Sequence, residues 1–197
     1  MLNNNKVVVL CSGGLDSLVT AELYKNTGYE VTLLYVRYGN DNSVQEAEVV
    51  TDYALTNNMK IYIENAPLTF YKPIIEAKQD YIPMRNLVLL SMAIALAETI
   101  DAGTVAIGII DVGEAYSDCS EEFIQSLNIL ATNSSNIEVV APLKYATKDR
   151  VAKLALAFGL NLDSVFTCEH PIGGKPCGSC IKCTDLKRAK ELVQKMN

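Results

Sequence analysis

The sequence predicts an α/β fold: a parallel five-stranded sheet with flanking helices, followed by a small C-terminal unit of different composition. Three observations predict it. Short β-branched runs alternate with longer helical stretches through the first 160 residues. One of these runs passes into a helix through the glycine turn Ser12-Gly13-Gly14-Leu15-Asp16-Ser17. From Cys168 onward the composition shifts to Gly, Pro, Cys and Lys. The expected division is an α/β domain over residues 1–160 and a C-terminal segment with a helix over residues 161–197.

The first strand is placed at 6–11, apolar on both faces as a central parallel strand requires. A helix follows from about 16 to 26, with Gly28 just past its end. EVTLLYVR (30–37) reads as the second strand. A helix over 43–57 has Ser43 as its expected N-cap and Glu46 three residues on, the spacing of a capping box. Residues 60–64 form a short third strand. Residues 65–79 show no period and are expected to be a loop with about one helical turn. Residues 84–100 are apolar nearly all round and predict a buried helix. Strand four is placed at 104–109. The next helix, 120–132, has Ser120 as cap and Glu121 and Glu122 in its first turn. Strand five is placed at 137–141. Thr147 caps a helix over 148–158, which Gly159 ends.

The formal net charge of −6 argues against a general affinity for nucleic-acid backbone. The longest apolar stretch, 87–97, is broken by Ser91 and is too short to span a bilayer. These features predict a cytoplasmic protein with no membrane or direct nucleic-acid partner.

Cys168, Cys177, Cys180 and Cys183 offer four thiolates, two of the gaps being C-x2-C, with Gly178 permitting a tight turn. Four soft ligands favour tetrahedral Zn²⁺, and a filled shell makes that metal structural. An iron–sulfur cluster and a Cys177/Cys180 redox pair stay open as alternatives. His170 lies inside the cluster, either replacing a thiolate or donating to a sulfur or to backbone. Cys11 is read as a small core residue.

In the SGGLDS turn, two glycines let the backbone approach a ligand, and the helix N-terminus behind them favours an anion. Ser12 and Ser17 add hydroxyl donors. Asp16 would repel a bare phosphate and so calls for a bridging Mg²⁺. The spacing is neither a Walker A loop nor a Gly-x-Gly-x-x-Gly fingerprint. The loops after each strand gather at the carboxyl end of the sheet, where an open parallel sheet binds its ligand.

The SGGLDS loop resembles that of the PP-loop ATP pyrophosphatases, a Rossmann-type group of the HUP kind that cleaves ATP between its α- and β-phosphates. The whole chain resembles the 7-cyano-7-deazaguanine (preQ0) synthase family, in a compact version of the kind a viral pathway would carry. The resemblance rests on LCSGGLDS (10–17), YIPMRN (81–86), IGIIDVGEAYSDCS (107–120) and the four cysteines, with Pro142, Leu143, Thr147 and Lys148 as a weaker block. It implies an ATP-dependent ligase that adenylates 7-carboxy-7-deazaguanine, admits ammonia to form an amide, and activates the amide with a second ATP to leave a nitrile. By position, ATP would be held by Leu10, Cys11, Ser12, Gly13, Gly14, Leu15, Asp16, Ser17 and Leu18. Asp16, Ser17, Arg85 and Lys148 would be catalytic. Tyr38, Arg85, Asn86, Asp111 and Asp118 would face the deazapurine. Plainer roles stand beside these: Asn86 as a helix cap, Asp111 and Asp118 as solvated loop acids and Tyr38 as packing; Lys144 and Lys148 could neutralise phosphates, although lysines at a helix start are more often surface residues. The resemblance also implies a homodimer.

Two departures stand out. Residues 38–42 read Tyr-Gly-Asn-Asp-Asn where the family carries YGQRH, and the segment before YIPMRN is short. Two other outcomes therefore remain open within the enzyme class: stopping at the amide, or joining the carboxylate to another amine. A tRNA-thiolating enzyme is the reading outside it.

Overall fold

The computed structural model describes residues 2–68, 82–110 and 116–196. Asp111 and most of the expected 65–79 loop lie outside the described residues. The strands are β1 (Asn3–Leu10), β2 (Glu30–Arg37), β3 (Lys60–Asn65), β4 (Ala102–Ile107) and β5 (Glu138–Val140). The helices are α1 (Leu15–Asn26), α2 (Ser43–Thr56), α3 (Arg85–Thr99), α4 (Glu121–Ser135), α5 (Lys148–Ala157) and α6 (Ile181–Gln194). The five strands form one parallel sheet in the order β3-β2-β1-β4-β5. The order reverses at β1, so a crevice opens beyond the carboxyl ends of β1 and β4.

The period of two in β1 builds both cores at once. Val7 and Val9 join Leu18, Val50 and Val151 under α1, α2 and α5. Val8 and Leu10 join Leu90, Ala93 and Leu127 under α3 and α4. All three valines are fully buried, so the second half of β1 has no polar face, while the strand starts three residues earlier than expected with the polar run Asn3–Lys6. The C-terminal helix α6 lies on the α5 side, and its Ala189 enters the same core as Val151 and Ala155.

Several expectations are corrected. The N-cap of α2 is Asn42, not Ser43, and no side chain caps it. Glu46 closes no capping box: burial and nearer donors on β2 and the preceding loop take its carboxylate instead. Helix α3 is not buried all round; only Asn86, Leu90, Ala93 and Ala97 are, because one helix face meets the sheet. Strand β4 begins and ends two residues earlier than expected, since its register is set by pairing with β1. Ser120 and Thr147 do cap α4 and α5, accepting from Phe123 N–H and Arg150 N–H at 3.1 Å each.

Candidate functional site

Residues 11–14 connect β1 to α1. Gly13 has φ +77°, and a Cβ there would stand 2.8 Å from Val49 Cγ1, so glycine is required on both counts. Gly14 is the N-cap of α1, extended and without a side-chain cap. The first donors inside the helix are Ser17 N–H and Leu18 N–H, both to Gly14 O at 3.1 Å. The N–H groups of Leu15 and Asp16 precede them and have no intrahelical acceptor, the arrangement that suits an anion. Ser12 is exposed at the rim. Leu10, Cys11, Leu15 and Leu18 point into the core, so only their backbone is available to a ligand. Ser17 donates its hydroxyl to Gly14 O at 2.8 Å and lies 3.5 Å from Cys11 Sγ. Burial pushes the Cys11 thiol above its ordinary range, which keeps it neutral.

Lys148, at the start of α5, donates to Asp16 Oδ2 at 3.0 Å and lies 3.8 Å from Asp185 Oδ2 on α6. The structure therefore joins two expected catalytic residues 132 positions apart in sequence. Gly108 closes this side. A Cβ there would meet the backbone carbonyl of Asp16 at 2.8 Å and Ser17 N at 2.9 Å. Only glycine lets the end of β4 lie against the loop. The steric need arises between the end of β4 and the first turn of α1, far apart in sequence, so no local pattern marked it.

A second group surrounds Arg85, the first residue of α3. Its Nη1 donates to Tyr38 Oη at 3.4 Å, and its guanidinium carbon stands 5.2 Å from the Tyr38 ring centroid. Burial raises the Tyr38 phenol and the nearby Arg85 charge opposes it. Asp118 is buried and accepts from Asn86 N–H at 2.8 Å, capping α3. Asn86 in turn donates to Asp118 O at 3.0 Å and Cys119 Sγ at 3.2 Å. Lys144 is buried, donating to Cys119 O at 2.7 Å. Asn86, Asp118 and Lys144 thus hold the wall beside Arg85.

Glu46 carried no sequence signal beyond its capping spacing, yet its buried carboxylate accepts from Tyr35 Oη at 2.9 Å, Asn40 Nδ2 at 2.8 Å and Asn42 Nδ2 at 3.0 Å. Burial pushes it up to about 7, opposed by those three bonds and by the Arg85 charge.

The sulfurs of Cys168, Cys177, Cys180 and Cys183 all lie within 4.8 Å of one another. A tetrahedron with metal–sulfur bonds of about 2.3 Å has edges of about 3.8 Å, so the four fit one ion. Backbone N–H groups point at three of them: Cys177 N to Cys168 Sγ at 3.2 Å, Cys180 N to Cys177 Sγ at 3.4 Å, and Cys183 N to Cys180 Sγ at 3.5 Å. Donors of this kind favour thiolate, and the N–H groups of Ser179 and Cys180 lower Cys177 to about 6. The ring of His170 is not among the four ligands; its backbone N–H approaches Cys168. No helix among the described residues is long and apolar enough to cross a membrane.

The family model for "Queuosine biosynthesis protein QueC" matches residues 6–77 and 71–194. A protein named 7-cyano-7-deazaguanine synthase from Nitratiruptor sp. is 30% identical over 201 residues, covering 90% of each chain. One of the same name from Nautilia profundicola is 31% identical over 205 residues, again covering 90% of both. Among solved structures, a 4-thiouridine synthetase in complex with RNA and ATP matches with a TM-score of 0.59 at 18% identity, covering 97% of this chain and 51% of that one. The U34-tRNA thiolase NcsA of Methanococcus maripaludis matches at 0.58 and 17%, covering all of this chain and 74% of that one. At these identities the structural likeness speaks to the fold.

Proposed function

The chain belongs to the queuosine biosynthesis protein QueC family, and from that premise we propose that it is an ATP-dependent ligase converting 7-carboxy-7-deazaguanine and ammonia into 7-cyano-7-deazaguanine. The observation that carries this reading is the juxtaposition, at the switch point of the sheet, of the open α1 N-terminus with the Asp16–Lys148 pair at 3.0 Å. A polyphosphate would sit on the first-turn N–H groups of α1, with Ser12 at its rim. Mg²⁺ held by Asp16 would neutralise charge on the departing pyrophosphate. The four cysteines would hold Zn²⁺, whose full shell makes it structural.

Carboxylate and ammonia do not condense unaided, because the oxygen is a poor leaving group. In the first stage the carboxylate oxygen attacks the α-phosphorus and pyrophosphate leaves. Ammonia then displaces AMP, and loss of a proton gives the amide. In the second stage the amide oxygen attacks the α-phosphorus of another ATP and pyrophosphate leaves; departure of AMP with loss of the two remaining N–H protons then gives the nitrile. Lys148 beside Asp16 would stabilise charge on the phosphates as each P–O bond breaks. Arg85 would pair with the substrate carboxylate, for which its fork is the suitable shape. Tyr38, stacked under Arg85, would set the guanidinium plane, and Asn86 with Asp118 would fix the α3 start that carries it.

Purified protein given 7-carboxy-7-deazaguanine, ATP, Mg²⁺ and ammonium tests the proposal by mass spectrometry. Nitrile with two AMP per product supports it. Amide alone restricts the enzyme to one activation, and an unreacted deazapurine rejects the assignment.

A further inference from the structure

Asn42 is the N-cap of α2, yet its side chain caps none of the helix's backbone N–H groups. It is buried, and its Nδ2 donates both to the carbonyl oxygen of Cys168 at 2.8 Å and to the Glu46 Oε1 of α2 at 3.0 Å. Its Oδ1 accepts from Asn40 Nδ2, which also donates to Glu46. Tyr35 Oη fixes the far oxygen of Glu46 at 2.9 Å and donates to Ser43 O at 3.1 Å. The loop between β2 and α2 is therefore tied at its base to one residue of the cysteine segment, 126 positions away in sequence. That residue has two roles: its Sγ is one of the four converging sulfurs, and its carbonyl is the acceptor for Asn42. The two groups are joined through Cβ and Cα of a single residue, so an ion that fixes the Cys168 side-chain rotamer also restrains where its carbonyl stands. Four residues before Asn42 in the same loop stands Tyr38, which supports Arg85.

We propose that Asn42 is a positioning residue that clamps the β2–α2 loop to the metal knot through the Cys168 carbonyl, so that metal occupancy sets where Tyr38 and Arg85 stand. The catalytic consequence rests on the ligase reading above; the mechanical one does not. Loss of the clamp leaves Cys168 O and Glu46 short of a buried donor, and loop opening becomes about tenfold easier.

Hydrogen exchange on the full metal-loaded chain tests this. Asn42→Leu keeps the volume and removes the donor. Exchange over residues 38–46 should rise about tenfold, the metal content should stay at the wild-type value, and KM should rise for the deazapurine but not for ATP. Asn42→His, which retains an N–H donor, should restore most of the protection. Chelating the metal from the wild-type protein should release the same residues while Ala102–Ile107 and Glu121–Ser135 remain protected. Unchanged exchange at 38–46 in Asn42→Leu would overturn the proposal, as would a chelation effect spread evenly over β4 and α4. Should the wild-type protein leave the deazapurine unreacted, the ligase reading fails and the exchange pattern alone decides the role of Asn42.

Discussion

Gly108→Ala is the sharpest perturbation of the site, because it adds one methyl group at a place with nowhere for it to go. The new Cβ would lie 2.8 Å from both the carbonyl carbon and the carbonyl oxygen of Asp16 and 2.9 Å from Ser17 N. These are backbone atoms and cannot rotate aside. Ordinary contact begins near 3.4 Å, so the loop or the end of β4 must retreat by about 0.6 Å, the gap between 2.8 and 3.4 Å. Overpacking of this kind costs about 1–3 kcal/mol, which for a domain of this size lowers Tm by roughly 3–10 °C. The same retreat moves Asp16 and the first N–H groups of α1 relative to where the proposed ATP phosphates would sit. A misplacement approaching 1 Å lowers turnover by about a hundredfold, so kcat for AMP release should fall at least tenfold. Gly28→Ala is the control: it meets nothing within 4 Å but sits at φ +88°, so it should lower Tm and leave turnover alone. Calorimetry and a steady-state AMP assay on both variants decide the matter. Wild-type turnover and Tm in Gly108→Ala would refute the close-approach reasoning.

The other predictions concern charge and metal. Lys148→Ala removes the partner of Asp16; AMP release should fall about a hundredfold while stability changes by under about 1 kcal/mol, since the pair is partly exposed. Retained turnover would remove Lys148 from the machinery. Glu46 is raised by burial from 4.5 to about 7. Its neutral form is therefore favoured in the folded chain, and its contribution to stability is present below pH 4.5 and lost as pH rises through about 7. That loss is on the order of 3 kcal/mol. Urea unfolding at pH 5 and pH 8 should show it in the wild-type chain and not in Glu46→Gln; equal slopes in the two would sink the assignment. Cys180 is one of the four converging cysteines and also caps α6, accepting from Cys183 N–H. Cys180→Ser should lose metal, measured by emission spectrometry, together with several degrees of Tm. Full stability without metal would show that the knot needs no ion.

Local patterns made the architecture legible. The doubly apolar β1, the Ser120 and Thr147 caps and the C-x2-C spacings depend on neighbours in sequence, and each reappears in the fold. What escaped depends on distant contacts. Ser43 with Glu46 has the spacing of a capping box, but Tyr35, Asn40 and Asn42 take the carboxylate. Lys144, read as a phosphate partner or surface lysine, is drawn into the wall by the Cys119 carbonyl. Gly108 sat within a recognisable block, yet its reason lies in the backbone of α1. For the same reason the Asn42–Cys168 contact has no sequence signature at all.

The most direct test of double adenylation follows the carboxylate oxygens. With 7-carboxy-7-deazaguanine labelled at both oxygens with ¹⁸O, each oxygen should depart on a separate AMP, and the nitrile should carry none. Mass spectra should then show two singly labelled AMP molecules for every nitrile. Label in pyrophosphate or water, or AMP without label, would contradict attack by the substrate oxygens on ATP.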